Sequence, residues 1–99
     1  MAKFDVRLAR DTGVLVVDCQ SDLIDQFDTR FVVPLVALAD AGDLVPRLMP
    51  TFQVNGETRV LATQFAGAVP KQVLGPPLAS LAAHDFEIGA ALDMLISGY

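Results

Sequence analysis

The residues of this chain that could do chemistry are few, and the acidic ones concentrate in one segment. Asp22, Asp25 and Asp28 recur at every third position within residues 21–29. Carboxylates at such intervals could bind calcium, but the twelve-residue spacing of a calcium loop, with its glycine and terminal glutamate, is missing. The segment is therefore interpreted as a solvated acidic loop. Arg30 follows it directly and is expected to pair with one of its carboxylates.

The other reactive side chains form no recognisable site. The chain has one cysteine, Cys19, and one histidine, His84, whereas a zinc site needs three or four ligands. A triad of Ser21, His84 and an aspartate has no local motif to support it. Cys19 ends an apolar run, where a lone cysteine is usually a small buried hydrophobic residue, and His84 is interpreted as a solvated residue at a helix entry. The sequence therefore predicts no catalytic residue, no metal site and no cofactor.

Size and charge restrict the classes of partner. The chain has 99 residues, of which 53% are hydrophobic, and a net charge of −5. A chain of this size hides only about 60–65% of the surface that its unfolded form exposes, so we expect a homodimer that covers the excess apolar side chains. Nucleic-acid binding depends on clustered positive charge, and the seven lysines and arginines are scattered singly. Direct binding to DNA is therefore disfavoured.

The first residues carry charges that interrupt any signal peptide, namely Asp5, Arg7 and Arg10. No apolar run approaches the roughly 18 residues of a membrane span. We therefore expect a cytoplasmic protein without membrane contact.

Hydrophobic periodicity predicts several short strands. Strands are predicted at residues 4–8, 14–19, 31–38, 51–54, 57–63 and 71–74. The first is expected to alternate between a buried and a solvated face, with a turn at residues 11–13 joining it to the second. Asn55-Gly56 is typical of a tight type I′ hairpin turn. Pro34 cannot donate a ladder hydrogen bond, so it indicates an edge or a bulge.

The end of the chain changes to a helical period. Four apolar residues fall on one stripe of an α-helix: Ile88, Ala91, Leu92 and Leu95. Asp85 is predicted as the N-cap, and Gly98 as the glycine that follows the helix. The predicted fold is mainly β with a C-terminal α-helix, a small barrel or curved sheet of antiparallel strands. It forms a single domain over residues 1–99, with the barrel at about 2–75 and the helix at about 85–97.

Apolar residues also interrupt the acidic loop. Leu23, Ile24 and Phe27 lie within it and are expected to pack back beneath it. The alternative is that they form a contact surface for a partner.

Several segments of the chain resemble the CcdB family of bacterial toxins, and the similarity spans nearly the whole chain. The matching segments are Val17-Asp18-Cys19-Gln20-Ser21-Asp22-Leu23-Ile24-Asp25, Arg30-Phe31-Val32-Val33-Pro34-Leu35, Val69-Pro70, Val73-Leu74-Gly75 and the helix at 88–96. The resemblance implies an SH3-like barrel assembled as a homodimer. It also implies a non-enzymatic poison that binds the A subunit of DNA gyrase and traps the gyrase on cleaved DNA. A CcdA-like antitoxin would remove the toxin from gyrase, and the antitoxin, rather than the toxin, would contact DNA.

The resemblance also implies which residues contact gyrase. These are Leu23, Ile24, Asp93, Ile96, Ser97, Gly98 and Tyr99. Ser97 departs from the family, because the best-known members carry a tryptophan there that stacks on an arginine of gyrase. Tyr99 replaces an aliphatic terminus and supplies an aromatic ring at a shifted position.

Two alternatives remain open at this point. One is an endoribonuclease similar to the MazF family, which shares the barrel. Such an enzyme needs acid–base groups and a basic groove, and Arg30 with Asp22 or His84 is the best set that this chain offers. The other is a homologue that has lost its toxicity and persists as an antitoxin-binding module.

Overall fold

The computed structural model of the protein describes residues 1–98, and within them seven short strands precede one α-helix. Short 3-10 turns occupy several of the connections, as the many prolines and glycines of these segments favour. The elements are β1 (Asp5–Ala9), β2 (Val14–Asp18), β3 (Thr29–Ala37), β4 (Thr51–Val54), β5 (Glu57–Leu61), β6 (Gly67–Pro70), β7 (Ala79–Ser80) and α1 (Asp85–Ser97).

The strands form one antiparallel sheet in the order β4-β5-β3-β2-β1-β7, with β6 added beside β3. Strand β3 organises this sheet. It pairs with β2 along one side, while its other side pairs with β6 at residues 29–32 and with β5 at residues 35–37. The sheet therefore bends around β3 into a nearly closed barrel. The predicted fold class, mainly β with a C-terminal helix, is confirmed.

Pro34 lies in the central strand rather than at an edge, so the prediction from its position is corrected. It is paired in register with Val16 of β2, and its carbonyl accepts a hydrogen bond of 2.8 Å from the backbone N–H of Ala62. The N–H and C=O of one strand residue point to the same side. The missing N–H of Pro34 therefore faces the place where β3 changes neighbour from β6 to β5. The Ala62 carbonyl, which would otherwise accept from residue 34, accepts from the Phe65 N–H at 2.9 Å instead.

The hairpin of β4 and β5 is confirmed at its turn. Asn55 and Gly56 both adopt positive φ angles, 50° and 85°, as a type I′ turn requires. Val54 and Glu57 face each other across the turn in the register that a two-residue loop imposes.

The main core fills the barrel beneath the helix. Ile88 and Ala91 of α1 are fully buried in a cluster that contains Val17 and Val33 from the two central strands. A smaller cluster lies on the other face of the sheet and includes Val16, because neighbouring residues of a strand point to opposite faces. The helical stripe is thus confirmed near its start, whereas Leu95 at its end is 42% exposed.

Three local predictions are wrong. No strand forms at residues 71–74; β6 ends at Pro70, and Lys71–Val73 is a 3-10 turn closed by the bond from the Leu74 N–H to the Lys71 carbonyl. Asp85 is a helical residue and not the N-cap, because the 3-10 turn Ala82–His84 runs directly into α1.

The third error concerns β1, which does not alternate between a buried and a solvated face. Arg7, expected on the solvated face, is buried and donates a hydrogen bond of 2.9 Å to the carbonyl of Gly75, whereas Leu8 is exposed. A long-range contact of this kind overrides the local alternation.

The single-domain assignment over residues 1–99 stays a prediction. Within residues 1–98, no helix has the length and apolar character needed to cross a membrane.

The packing of α1 on the barrel predicts a large difference between two substitutions in the same helix. Ile88→Ala should lower the free energy of unfolding by about 2–5 kcal/mol, because it opens a cavity in the core. Leu95→Ala, a matched control at a half-exposed position, should cost about 1 kcal/mol or less. Urea unfolding followed by circular dichroism measures both. Equal losses for the two variants would contradict the assigned packing of the helix.

Candidate functional site

A buried ion pair lies beneath the acidic loop. Asp18 ends β2 and Arg30 lies near the start of β3, and both side chains are 0% exposed. The Nε of Arg30 donates to both carboxylate oxygens of Asp18, at 2.9 and 3.1 Å. Removing two charges from water costs several kcal/mol for each ion, and the cost is offset only where the geometry is good and the remaining donors are satisfied.

The remaining donors of Arg30 reach into the loop above it. Because β3 begins at Thr29, the acidic loop spans residues 21–28. One terminal nitrogen of Arg30 donates to the Asp25 carboxylate at 3.2 Å and the other to the Gln20 carbonyl at 3.3 Å. The predicted pairing of Arg30 with a loop carboxylate is confirmed. Its burial and its principal partner, Asp18, were not predicted.

Gln20 connects the loop to the barrel. Its side-chain oxygen accepts a hydrogen bond of 2.9 Å from the Phe31 backbone N–H, and its side-chain nitrogen donates to the Ile24 carbonyl. Ser21 closes the first turn of the loop, because its carbonyl accepts from the Ile24 N–H at 3.0 Å. The Asp22 carboxylate accepts from the Lys3 backbone N–H at 2.8 Å. The polar residues of this segment therefore fix the shape of the loop.

The apolar residues of the loop point outward. Leu23 is 92% exposed, and Ile24 and Phe27 are also exposed. The expectation that they pack beneath the loop is wrong, because the space below the loop is occupied by the buried charged pair. These three apolar side chains therefore lie in water on a loop whose backbone is held by hydrogen bonds.

The helix end presents a second exposed group. Asp93, Ser97 and Ile96 are exposed, the last at 79%, and they share one side of the helix because they are spaced by three and four residues. Gly98 ends the helix with a φ of 85°, and its N–H donates to the Met94 carbonyl at 2.9 Å. The prediction for Gly98 is confirmed.

The structure thus places the implied gyrase contacts on two elements. Leu23 and Ile24 lie on the acidic loop, whereas Asp93, Ile96, Ser97 and Gly98 lie at the end of α1. Tyr99 lies outside the described residues. The binding role of all seven residues stays a prediction.

Two ionisable groups near the loop have shifted pKa values. The pKa of Asp25 is lowered from 3.8, chiefly by the hydrogen bond and charge of Lys71. The carboxylate therefore stays charged, and its contact with Lys71 persists, until the pH falls below the usual pKa of this group. Burial, aided by the charge of Asp18, raises the pKa of Cys19 to about 12. The thiol is neutral at physiological pH, and the prediction of a buried hydrophobic cysteine is confirmed.

His84 lies at the helix entry, as predicted, but is half-buried rather than solvated. Its ring centroid lies 4.8 Å from that of Phe52, and its Nδ1 is 3.1 Å from the Glu87 carboxylate. In the part of the chain that the structure describes, no group of three or more His, Cys, Asp or Glu side chains could hold a metal ion.

The buried pair predicts a strong and specific loss of stability. Arg30→Met should lower the free energy of unfolding by about 3–5 kcal/mol, because it leaves the Asp18 carboxylate buried without a partner. Arg59→Met removes the partly exposed partner of the exposed Glu57 and should cost about 1 kcal/mol or less. The double variant Asp18→Leu/Arg30→Met should recover most of the loss. Denaturant unfolding tests these values, and an Arg30→Met protein as stable as Arg59→Met would contradict the role of the pair.

Comparison with known proteins agrees with this architecture. The structure is similar to the Mycobacterium tuberculosis toxin MazF-mt6, with a TM-score of 0.76 over 93% of this chain and 95% of that chain. The sequence identity is 12%, so the likeness shows the fold alone, and it confirms the expected SH3-like, MazF-like barrel. A family model described as CcdB protein matches residues 3–98. Because this match covers nearly the whole chain, the protein belongs to the CcdB family, the toxins of toxin–antitoxin pairs.

Proposed function

We propose that this toxin acts by binding the A subunit of DNA gyrase and trapping the gyrase on cleaved DNA. The contact surface consists of seven residues: Leu23, Ile24, Asp93, Ile96, Ser97, Gly98 and Tyr99. Two copies of this surface act together in a homodimer. The mechanism needs no cofactor and no catalytic residue, because the toxin acts by binding alone.

The observation that carries this proposal is the outward display of Leu23 and Ile96. Both are large apolar side chains that are more than three-quarters exposed, and neither contributes to the core of the barrel. Apolar residues in this position favour a partner that removes them from water. The loop beneath Leu23 is already ordered by Gln20 and Arg30, so little conformational freedom is lost when a partner binds.

The homodimer is supported by the distribution of apolar surface. Large apolar side chains are also exposed outside the set proposed to contact gyrase, for example Phe65 at 71%. A second copy of the chain would cover part of this surface. The antitoxin would be CcdA-like, with a tail that competes with gyrase for the toxin. It would supply the contact with DNA that the net charge of −5 disfavours for the toxin itself.

Ser97 sets the strength of the interaction. A serine cannot provide the cation–π contact that the family's tryptophan makes with gyrase, which is worth about 0.5–2 kcal/mol. We infer that this toxin relies more heavily on Leu23, Ile24 and Ile96 than the best-known members do. Tyr99 supplies the aromatic ring nearest to the missing one in sequence.

Removal of the displayed apolar side chains should abolish toxicity without unfolding the protein. Leu23→Ser and Ile96→Ser should each weaken binding to the dimerisation fragment of gyrase A by at least about 30-fold, as expected for interface hot spots. Both should restore growth to cells that express the toxin without its antitoxin. Deletion of Gly98 and Tyr99 should do the same. Calorimetric titration with the fragment and colony counts after induction measure these effects.

Phe86→Ser is the matched control. Phe86 is 83% exposed on the first turn of the same helix but lies outside the proposed surface, so its replacement should change neither affinity nor growth. The proposal fails if Phe86→Ser is as damaging as Ile96→Ser, or if Ile96→Ser still arrests growth.

The second candidate function is RNA cleavage, which the likeness to the MazF-mt6 fold favours. The best catalytic set in this chain includes Arg30, yet that guanidinium is 0% exposed and occupied by Asp18, Asp25 and Gln20. Such a group cannot contact an RNA phosphate without unfolding of the loop. The gyrase proposal is therefore preferred.

A direct comparison of the two activities separates these candidates. Purified protein incubated with mixed RNA, without added metal, should leave the RNA intact, because Arg30, the central residue of the best catalytic set, is buried and already paired. The same protein should increase the amount of DNA cleaved by gyrase in a plasmid cleavage assay. RNA cleavage without gyrase trapping would favour the MazF-like alternative. A protein that does neither and allows normal growth would be the non-toxic homologue.

A further inference from the structure

One cation far away in sequence holds the acidic loop at two points. Lys71 opens the 3-10 turn after β6, and its ammonium donates to both the backbone carbonyl and the carboxylate of Asp25, at 2.6 and 3.2 Å. The backbone N–H of Lys71 also donates to the Asp28 carbonyl at 2.8 Å. A single residue thus connects β6 to the second half of the loop.

The contact with the Asp25 carbonyl lies next in sequence to Leu23 and Ile24, the two exposed apolar residues of the loop. The preceding carbonyl, that of Ile24, accepts from the Gln20 side chain. Two consecutive carbonyls are therefore held by side chains from two different places, Gln20 just before the loop and Lys71 after β6. Arg30 binds only the Asp25 carboxylate and not its backbone. Within residues 1–98, Lys71 is the side chain that donates to the Asp25 backbone.

We propose that Lys71 is a positioning residue for the binding of gyrase: through Asp25, it holds Leu23 and Ile24 in the conformation that docks. This inference rests on the proposed function. Without the ammonium, Asp25 keeps its contact with Arg30, but its carbonyl is released and the backbone after Ile24 gains freedom. Only a fraction of the molecules then present the docking conformation. The apparent affinity is the intrinsic affinity multiplied by that fraction. We expect a loss of about 3- to 10-fold.

The contact is suited to this role because it is neither buried nor fully solvated. The side chain of Lys71 is 31% exposed and that of Asp25 is 57% exposed. A contact of this kind orders a loop without being needed for the barrel to fold. The barrel core depends on other residues, so a change at Lys71 can be separated from unfolding.

The test compares Lys71→Met and Lys71→Arg with Arg59→Met as the control. Lys71→Met keeps the length of the side chain and removes the donors, whereas Lys71→Arg restores donors for a carbonyl and a carboxylate. Arg59→Met makes the same change of charge at an exposed pair outside the loop. Amide hydrogen exchange of the free protein at residues 23–28 measures loop order, and calorimetry measures the affinity for the gyrase A fragment.

Lys71→Met should increase exchange in the loop by about 3- to 10-fold and weaken binding by a similar factor, while exchange in β2 and β3 stays unchanged. Lys71→Arg should restore both quantities, and Arg59→Met should alter neither. Unchanged loop exchange in Lys71→Met, or increased exchange with unchanged affinity, would overturn the proposal. If the wild-type protein does not bind gyrase at all, the proposed function fails and the docking role of Lys71 fails with it. The exchange data would still report separately whether Lys71 orders the loop.

Discussion

The contact between Asp18 and Arg30 is the constraint on which the acidic loop depends. Burying a carboxylate and a guanidinium together rarely stabilises a protein more than apolar residues of the same volume would. An apolar pair could fill the same space, but it would have no N–H groups that donate to the acidic loop. Arg30 has five N–H donors in a fixed plane, and it uses them toward β2, the Gln20 carbonyl and the Asp25 carboxylate. The charged pair therefore joins the core of the barrel to a loop that has no apolar anchor of its own.

This arrangement explains why a small domain can leave leucine and isoleucine side chains in water. The shape of the loop is set from within by polar contacts, so Leu23 and Ile24 are not needed to hold it in place. The helix end follows the same logic, because Ile88 and Ala91 attach α1 to the barrel and leave Ile96 free. In both elements the residues that stabilise the fold are separate from those available to a partner. A polypeptide that binds by such preordered surfaces loses little conformational entropy on binding.

Local signals in the sequence were sufficient for part of the fold. Asn55-Gly56 predicted its hairpin because both positive φ angles are intrinsic to that pair, and Gly98 predicted the helix end for the same reason. The strand expected at residues 71–74 failed, since apolar composition does not reveal that the pairing partner in β3 ends opposite Pro70. At the candidate site, the acidic loop and the pairing of Arg30 with one of its carboxylates were predictable. The burial of Arg30 was not, because it depends on Asp18, which is twelve residues away and on a different strand.

The position of Pro34 has a consequence for folding. Strand β3 contacts three other strands, and such a strand could pair out of register with any of them. Sliding β3 by two residues against β5 or β6 would turn the same face inward, so the hydrophobic pattern alone would not prevent it. A slip that carries Pro34 into the β5 or β6 ladder would, however, place its imino nitrogen opposite a backbone carbonyl that needs a donor. The proline ring thus raises the free energy of sheets in which β3 is misaligned, and it does not raise that of the native alignment.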